Sequence, residues 1–207
     1  PLVPLIKLEY PGNPPNIRMV YVRVLALGER AVDVPLLFDT GSAGITIACE
    51  TVLPAQYCSA DGIKIQKDLE LDGLTVTTRR IVSQYGTYDE YGNLAFARIR
   101  FGSAAHSVTT SETVPLLIRY KQVRRATGEV VGGPLWPKGI FGVSPVGAQA
   151  GGLLRSPIEA IDVPQGWHRG YRLSPIGAAW RRCTNEQRNC PEVAALYLGV
   201  DEAARKS

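Results

Sequence analysis

Apolar residues recur at every second position along several short runs, the period of a half-buried strand. In residues 17–27 (IRMVYVRVLAL), Val20, Val22 and Val24 alternate with Tyr21 and Arg23. Gly28-Glu29-Arg30 breaks the run as a hairpin turn, and residues 32–38 form an antiparallel partner that delivers Asp39 at its end. Residues 2–10 read as a short strand bounded by prolines, and residues 11–15 (PGNPP) as a turn. Asp72-Gly73 separates two β-rich runs, residues 63–71 and 74–82. A two-residue Asp-Gly turn is a strong hairpin signal, because both positions favour positive φ. Residues 85–92 (YGTYDEYG) then read as a long exposed tip, followed by a strand over 94–101. Further strands are predicted at 108–118, 171–175 and 194–200, with a loop-rich basic stretch over 119–138.

Helix signals are few. Ser156-Pro157-Ile158-Glu159 has the N-cap, the first-turn proline and the Glu of a capping box, and predicts a short helix ending near Asp162. A weaker candidate covers residues 50–56, cut by Pro54. With 21 glycines and 15 prolines in 207 residues, the chain suits a turn-rich β protein rather than a helical bundle. The fold class is therefore all-β, mainly antiparallel, with one or two short helices. No linker divides the chain, so residues 1–207 read as one domain.

Charge and special residues narrow the function. No apolar run approaches the roughly 18 residues of a membrane helix. The net charge of +4 comes from 23 scattered Lys and Arg, without the dense basic stripe of a nucleic-acid binder. No nucleic-acid or membrane partner is expected. Four cysteines fall as two local pairs, Cys49/Cys58 and Cys183/Cys190. Neither pair has C-x-x-C spacing, and His106 and His168 are in no ligand register with them, so no metal is implied. Three disulfide connectivities are possible, the local one being simplest; four buried thiols are the alternative. Disulfides imply a secreted or periplasmic protein. Since the chain begins at Pro1, an export signal would lie upstream. Trp136, Trp167 and Trp180 read as packing anchors or partly buried surface aromatics, while Tyr88 and Tyr91 read as tip aromatics or substrate contacts. No G-x-S-x-G elbow or phosphate loop is present.

The informative motif is Phe38-Asp39-Thr40-Gly41-Ser42, between an aliphatic strand and Ala43-Gly44-Ile45-Thr46-Ile47. Asp, Gly and Ser are ordinary turn residues, but apolar strands on both sides place this carboxylate at the floor of the fold. Here the chain resembles the pepsin-like aspartic peptidases, whose catalytic signature is hydrophobic-Asp-Thr-Gly-Ser. The resemblance implies that Asp39 is half of a catalytic carboxylate pair. Thr40 would brace a twin loop, Gly41 would permit its close approach, and Ser42 would bond the outer oxygen of Asp39. Tyr85-Gly86-Thr87 resembles the tip of the family's substrate-covering flap. Ile140-Phe141-Gly142-Val143 is similar to the strand beneath the catalytic loop, and residues 195–201 are similar to the strand that closes a first lobe. Cys49/Cys58 lies where many members have a small disulfide loop. The implied fold is an acid-protease-like β-barrel lobe, related to the N-terminal lobe of the two-lobed enzymes or to single-lobe, retropepsin-like relatives.

Two departures qualify the likeness. The family commonly has a Trp seven residues after the catalytic Asp, bonded to the flap Tyr; Thr46 stands there. There is also no second D-T-G or D-S-G, and Asp61-Gly62 and Asp72-Gly73 lack the flanking residues. The family's reaction uses two adjacent carboxylates that share one proton. One activates water as general base and the other protonates the scissile carbonyl. The expected activity is thus an aspartic endopeptidase acting on a peptide or protein substrate, without cofactor. It needs a second carboxylate from a missing C-terminal lobe or from a homodimer partner. The alternative is an inactive lobe serving as a binding or inhibitor module. At 207 residues the chain has the size of one embellished lobe.

Overall fold

A computed structural model describes residues 1–6, 19–132, 137–147, 149–175 and 192–201. The predicted turn at residues 11–15, the ends of the strands predicted at 2–10 and 17–27, Cys183, Cys190, Trp136 and Trp180 lie outside the described residues. The strands, in chain order, begin with β1 (Leu2–Ile6), β2 (Tyr21–Leu27), β3 (Arg30–Asp39) and β4 (Ala43–Ala48). Then come β5 (Cys58–Ser59), β6 (Gly62–Ile63), β7 (Leu69–Leu71), β8 (Leu74–Gln84), β9 (Tyr88–Ala97) and β10 (Ile99–Gly102). The rest are β11 (Ser107–Thr109), β12 (Val114–Arg124), β13 (Val130–Val131), β14 (Gly139–Val143), β15 (His168–Leu173) and β16 (Glu192–Val200).

All but β5 and β6 join one mainly antiparallel sheet, whose path is β15-β16-β1-β2-β3-β14-β4-β12-β9-β8-β7. The path does not close on itself among the described residues. The mostly β prediction holds at that level. The alternation in β2 places Val22 and Val24 in the main core, with Val34 and Leu36 of β3, Phe101 and Phe141. Tyr21 is buried on the other face, in a small cluster of its own with Ile6. β4 is buried along its whole length, as befits a central strand covered on both faces.

Two tight turns match the sequence reading and touch each other. Asp72 and Gly73 take positive φ (50° and 80°), and Leu71 pairs with Leu74 across them. At the Gly28-Glu29 turn, Glu29 N–H donates to Asp72 O (2.7 Å). A Cβ on Gly28 would lie 2.4 Å from that oxygen, so only glycine fits at this contact.

Several predicted boundaries move. The run at 63–71 holds only β6 and β7, and the run at 108–118 splits into β11 and β12. The strand over 94–101 begins earlier, at Tyr88, and breaks between β9 and β10. The long exposed tip therefore shrinks to Tyr85-Gly86-Thr87, and Tyr88 and Tyr91 are strand residues. The basic stretch is no simple loop. β12 continues through Arg124 and pairs with β9 as far as Tyr88, and β13 pairs back onto β12. Cross-strand partners rather than local propensity decide these limits. The helix at 156–162 is a 3-10 turn, Pro157–Ala160, whose Ser156 cap accepts from Ile158 N–H (3.3 Å). The helix at 50–56 becomes a one-turn α-helix, Cys49–Val52, and a 3-10 turn, Ala55–Tyr57, separated at Pro54.

Cys49 and Cys58 form the disulfide that simple local pairing predicted, tying this helical corner to β5. A bond of this kind points to a non-cytosolic location. No described helix is long and apolar enough to cross a membrane. Replacing both Cys49 and Cys58 by alanine should lower unfolding free energy by about 2.5 kcal/mol, the entropy of closing a short loop. Denaturant titration of the pure variant reads this directly; an unchanged midpoint would show that the bridge constrains nothing.

Candidate functional site

Asp39 ends β3, and β4 begins four residues later. The loop between them is held by β14, which inserts between the two strands, parallel to β3 and antiparallel to β4. Gly142 lies opposite Asp39 and opposite Gly44. A Cβ there would sit 2.6 Å from Ser42 O and 2.8 Å from its hydroxyl, so β14 fits beneath the loop because this residue lacks a side chain. Ser144 N–H donates to Ser42 O (2.8 Å), and Gln149 Oε1 accepts from Ala43 N–H (2.9 Å).

This scaffold fixes the carboxylate through both oxygens. Gly41 N–H donates to Asp39 Oδ1 (2.8 Å), and Ser42 Oγ–H donates to Oδ2 (2.6 Å). Ser42 is buried, Asp39 is half-buried, and Thr40 and Gly41 face solvent. One hydrogen bond to each oxygen gives the carboxyl group a fixed orientation at an accessible surface.

Tyr85 brings the hairpin of β8 and β9 to the same site. Its N–H donates to Tyr88 O (2.8 Å), closing the tip, while Gly86 and Thr87 are exposed. Burial pushes the Tyr85 phenol far above its ordinary range, with the Glu90 and Asp39 carboxylates adding to the shift. The Ser83 and Thr46 hydroxyls act the other way. These two face the phenol without meeting hydrogen-bond geometry with it. Thr46, seven residues after Asp39, thus lies beside the tyrosine.

Sequence reasoning missed three residues. Tyr171 of β15 packs edge-on against Phe38, with ring centroids 5.9 Å apart. Partial burial raises its phenol, and the Asp39 carboxylate adds to this. No local motif marks it, since it reaches the site through the sheet path. Glu90 and Ser83 also belong to the surroundings of Tyr85, and only the β8/β9 register reveals that they face each other. Of the tip aromatics, Tyr91 lies under Lys121 (4.9 Å to the ring) and Tyr88 under Arg124 (5.8 Å). Trp167 is 42% exposed, a partly buried surface aromatic.

No metal-binding group of three or more His, Cys, Asp or Glu occurs among the described residues. A cavity of about 920 Å³, bordered by Arg23, Asp33, Arg100 and Ser107, touches neither Asp39 nor Tyr85. The chain matches no family model and no curated protein.

Gly142→Ala should cost about 1–3 kcal/mol, because its methyl group meets the backbone of Ser42 as well as its hydroxyl. Thermal or denaturant unfolding measures this, and a neutral substitution would mean that β14 does not brace the Asp39 loop.

Proposed function

We propose that the chain is a pepsin-like catalytic lobe of an aspartic endopeptidase, folded as an acid-protease-type β-barrel lobe. The observation that carries this is the held carboxylate. Asp39 stands in a D-T-G-S loop braced by a strand threaded between β3 and β4, with Gly41 and Ser42 bonded to its two oxygens. The hairpin bearing Tyr85-Gly86-Thr87 is near enough for the Asp39 carboxylate to raise the Tyr85 phenol. An extended peptide would lie between hairpin and loop, held partly by strand-like backbone hydrogen bonds.

In this reading Asp39 is one of two carboxylates sharing a proton. The ionised member takes a proton from water as the oxygen attacks the scissile carbonyl. The protonated member donates to the developing oxyanion. Ser42 and Gly41 hold Asp39 in position. The second carboxylate comes from a second lobe or a second protomer, and Thr40, exposed at the loop tip, braces the twin loop that carries it. No cofactor or metal takes part. The Cys49–Cys58 bond supports a secreted or periplasmic setting. The rival reading, an inactive lobe that binds or inhibits, rests on the lack of a second D-T/S-G in the chain.

Peptide cleavage at acid pH, assayed on the assembled protein, separates the two. Asp39→Ala should abolish turnover, a loss of at least about 10⁴-fold for a reacting group. Equal cleavage by both proteins removes Asp39 from the mechanism. Molecular mass in solution identifies the source of the second carboxylate, and a strictly monomeric, active chain of 207 residues contradicts the shared pair.

A further inference from the structure

The underside of the flap hairpin is polar. Glu90 of β9 lies opposite Ser83 of β8 and opposite Gln122 of β12, so the three side chains project from one face. Glu90 and Ser83 are fully buried. Glu90 Oε1 accepts from Arg119 and from Gln122 Nε2 (3.1 Å), and Arg119 Nη2 donates to Pro137 O (3.0 Å). The second carboxylate oxygen, Oε2, is buried and has no hydrogen-bond partner among the described residues. The same holds for Thr46 Oγ1, Ser83 Oγ and Tyr85 Oη. The Ser83 and Thr46 hydroxyls lie beside the phenol of Tyr85, and the Glu90 carboxylate is near enough to raise it.

Four buried oxygens around one place require a guest with both donors and acceptors. A carboxylate oxygen can only accept, whereas hydroxyls do either. Water satisfies the set, donating to Glu90 Oε2 and to one hydroxyl while accepting from the phenol. We propose that Thr46, Ser83, Tyr85 and Glu90 enclose an internal water site, through which Glu90 acts as a positioning residue for the flap tyrosine. The flap role rests on the peptidase reading; the water site does not. Glu90 suits this task because Arg119 and Gln122 pin one of its oxygens to β12, while the other is left for the water. The ion pair thereby ties the hairpin to β12 and to the segment entering β14.

The test needs no substrate. A high-resolution crystal structure of the wild-type chain should show one water within about 3.2 Å of both Glu90 Oε2 and Tyr85 Oη. Amide hydrogen exchange then reads the flap. Tyr85 N–H, bonded to Tyr88 O, and Arg125 N–H, bonded to Thr87 O (3.0 Å), report on the tip. Glu90→Gln should speed exchange at both about tenfold, with Ile45 and Ile47 of β4 unchanged within about twofold. Because this variant leaves Arg119 without its counter-ion, Glu90→Leu/Arg119→Met is the companion, replacing both charges together. It should show the same local loss. The proposal is overturned by direct bonding among the three hydroxyls with no water present, by unchanged tip exchange in both variants, or by equal acceleration in β4. None of these readouts depends on peptide cleavage, so the peptidase reading can fail separately.

Discussion

The close approach of β14 to the Asp39 loop is the constraint on which the site depends. A strand that passes between the two arms of a loop must come within backbone contact of both. Gly139 and Gly142 permit this, for a Cβ on either would meet the backbone of Thr46 or of Ser42. The parallel pairing with β3 and the antiparallel pairing with β4 then hold the two arms at a fixed spacing. Only inside that frame do Gly41 N–H and Ser42 Oγ–H reach the two oxygens of Asp39. The carboxylate is oriented by backbone architecture, and so its geometry is insensitive to the exposed side chains around it.

The β8/β9 hairpin is held differently. β14 is a dry contact of glycine against backbone, whereas the hairpin base is a buried charge network. Breaking one partner of such a network costs about 3–5 kcal/mol, far more than the pair contributes over apolar substitutes. That asymmetry makes the network a register device. A one-residue slip of β9 against β12 would turn Glu90 away from Arg119 and leave two buried charges unpaired. Tyr85 inherits its position from that register, five residues before Glu90 in the same hairpin.

The sequence showed the local parts of this design and hid the long-range ones. Asp72-Gly73 was legible because turn chemistry is a property of two residues. The Asp39 loop was legible because four consecutive residues carry it, and Cys49/Cys58 because the cysteines lie close in the chain. Tyr171, Glu90 and Ser83 were not legible, since each matters only through a strand pairing across the sheet. The run from Arg119 misled for the same reason: its polar, basic composition suits a loop, yet β9 offers a free edge that its backbone satisfies. Thr46 was visible as a departure, but that it still faces the tyrosine was not.

The extension of β12 stiffens the β8/β9 hairpin. An isolated two-stranded hairpin is marginal in water and twists freely, while a third strand stiffens it. Here β9 is flanked by β8 on one side and by Lys121–Arg124 on the other, and β13 adds a further pair. Arg125 completes the attachment, with its N–H on Thr87 O and its guanidinium beside Asp89 (3.3 Å). The tip residues Tyr85-Gly86-Thr87 are therefore bound to the turn after β12. Below that turn the register of β9 on β12 shifts between Arg119 and Lys121. Arg119 sits at that irregularity and pairs with the buried Glu90, so the same charge pair that fixes the hairpin's register also anchors β12 where its ladder with β9 is interrupted.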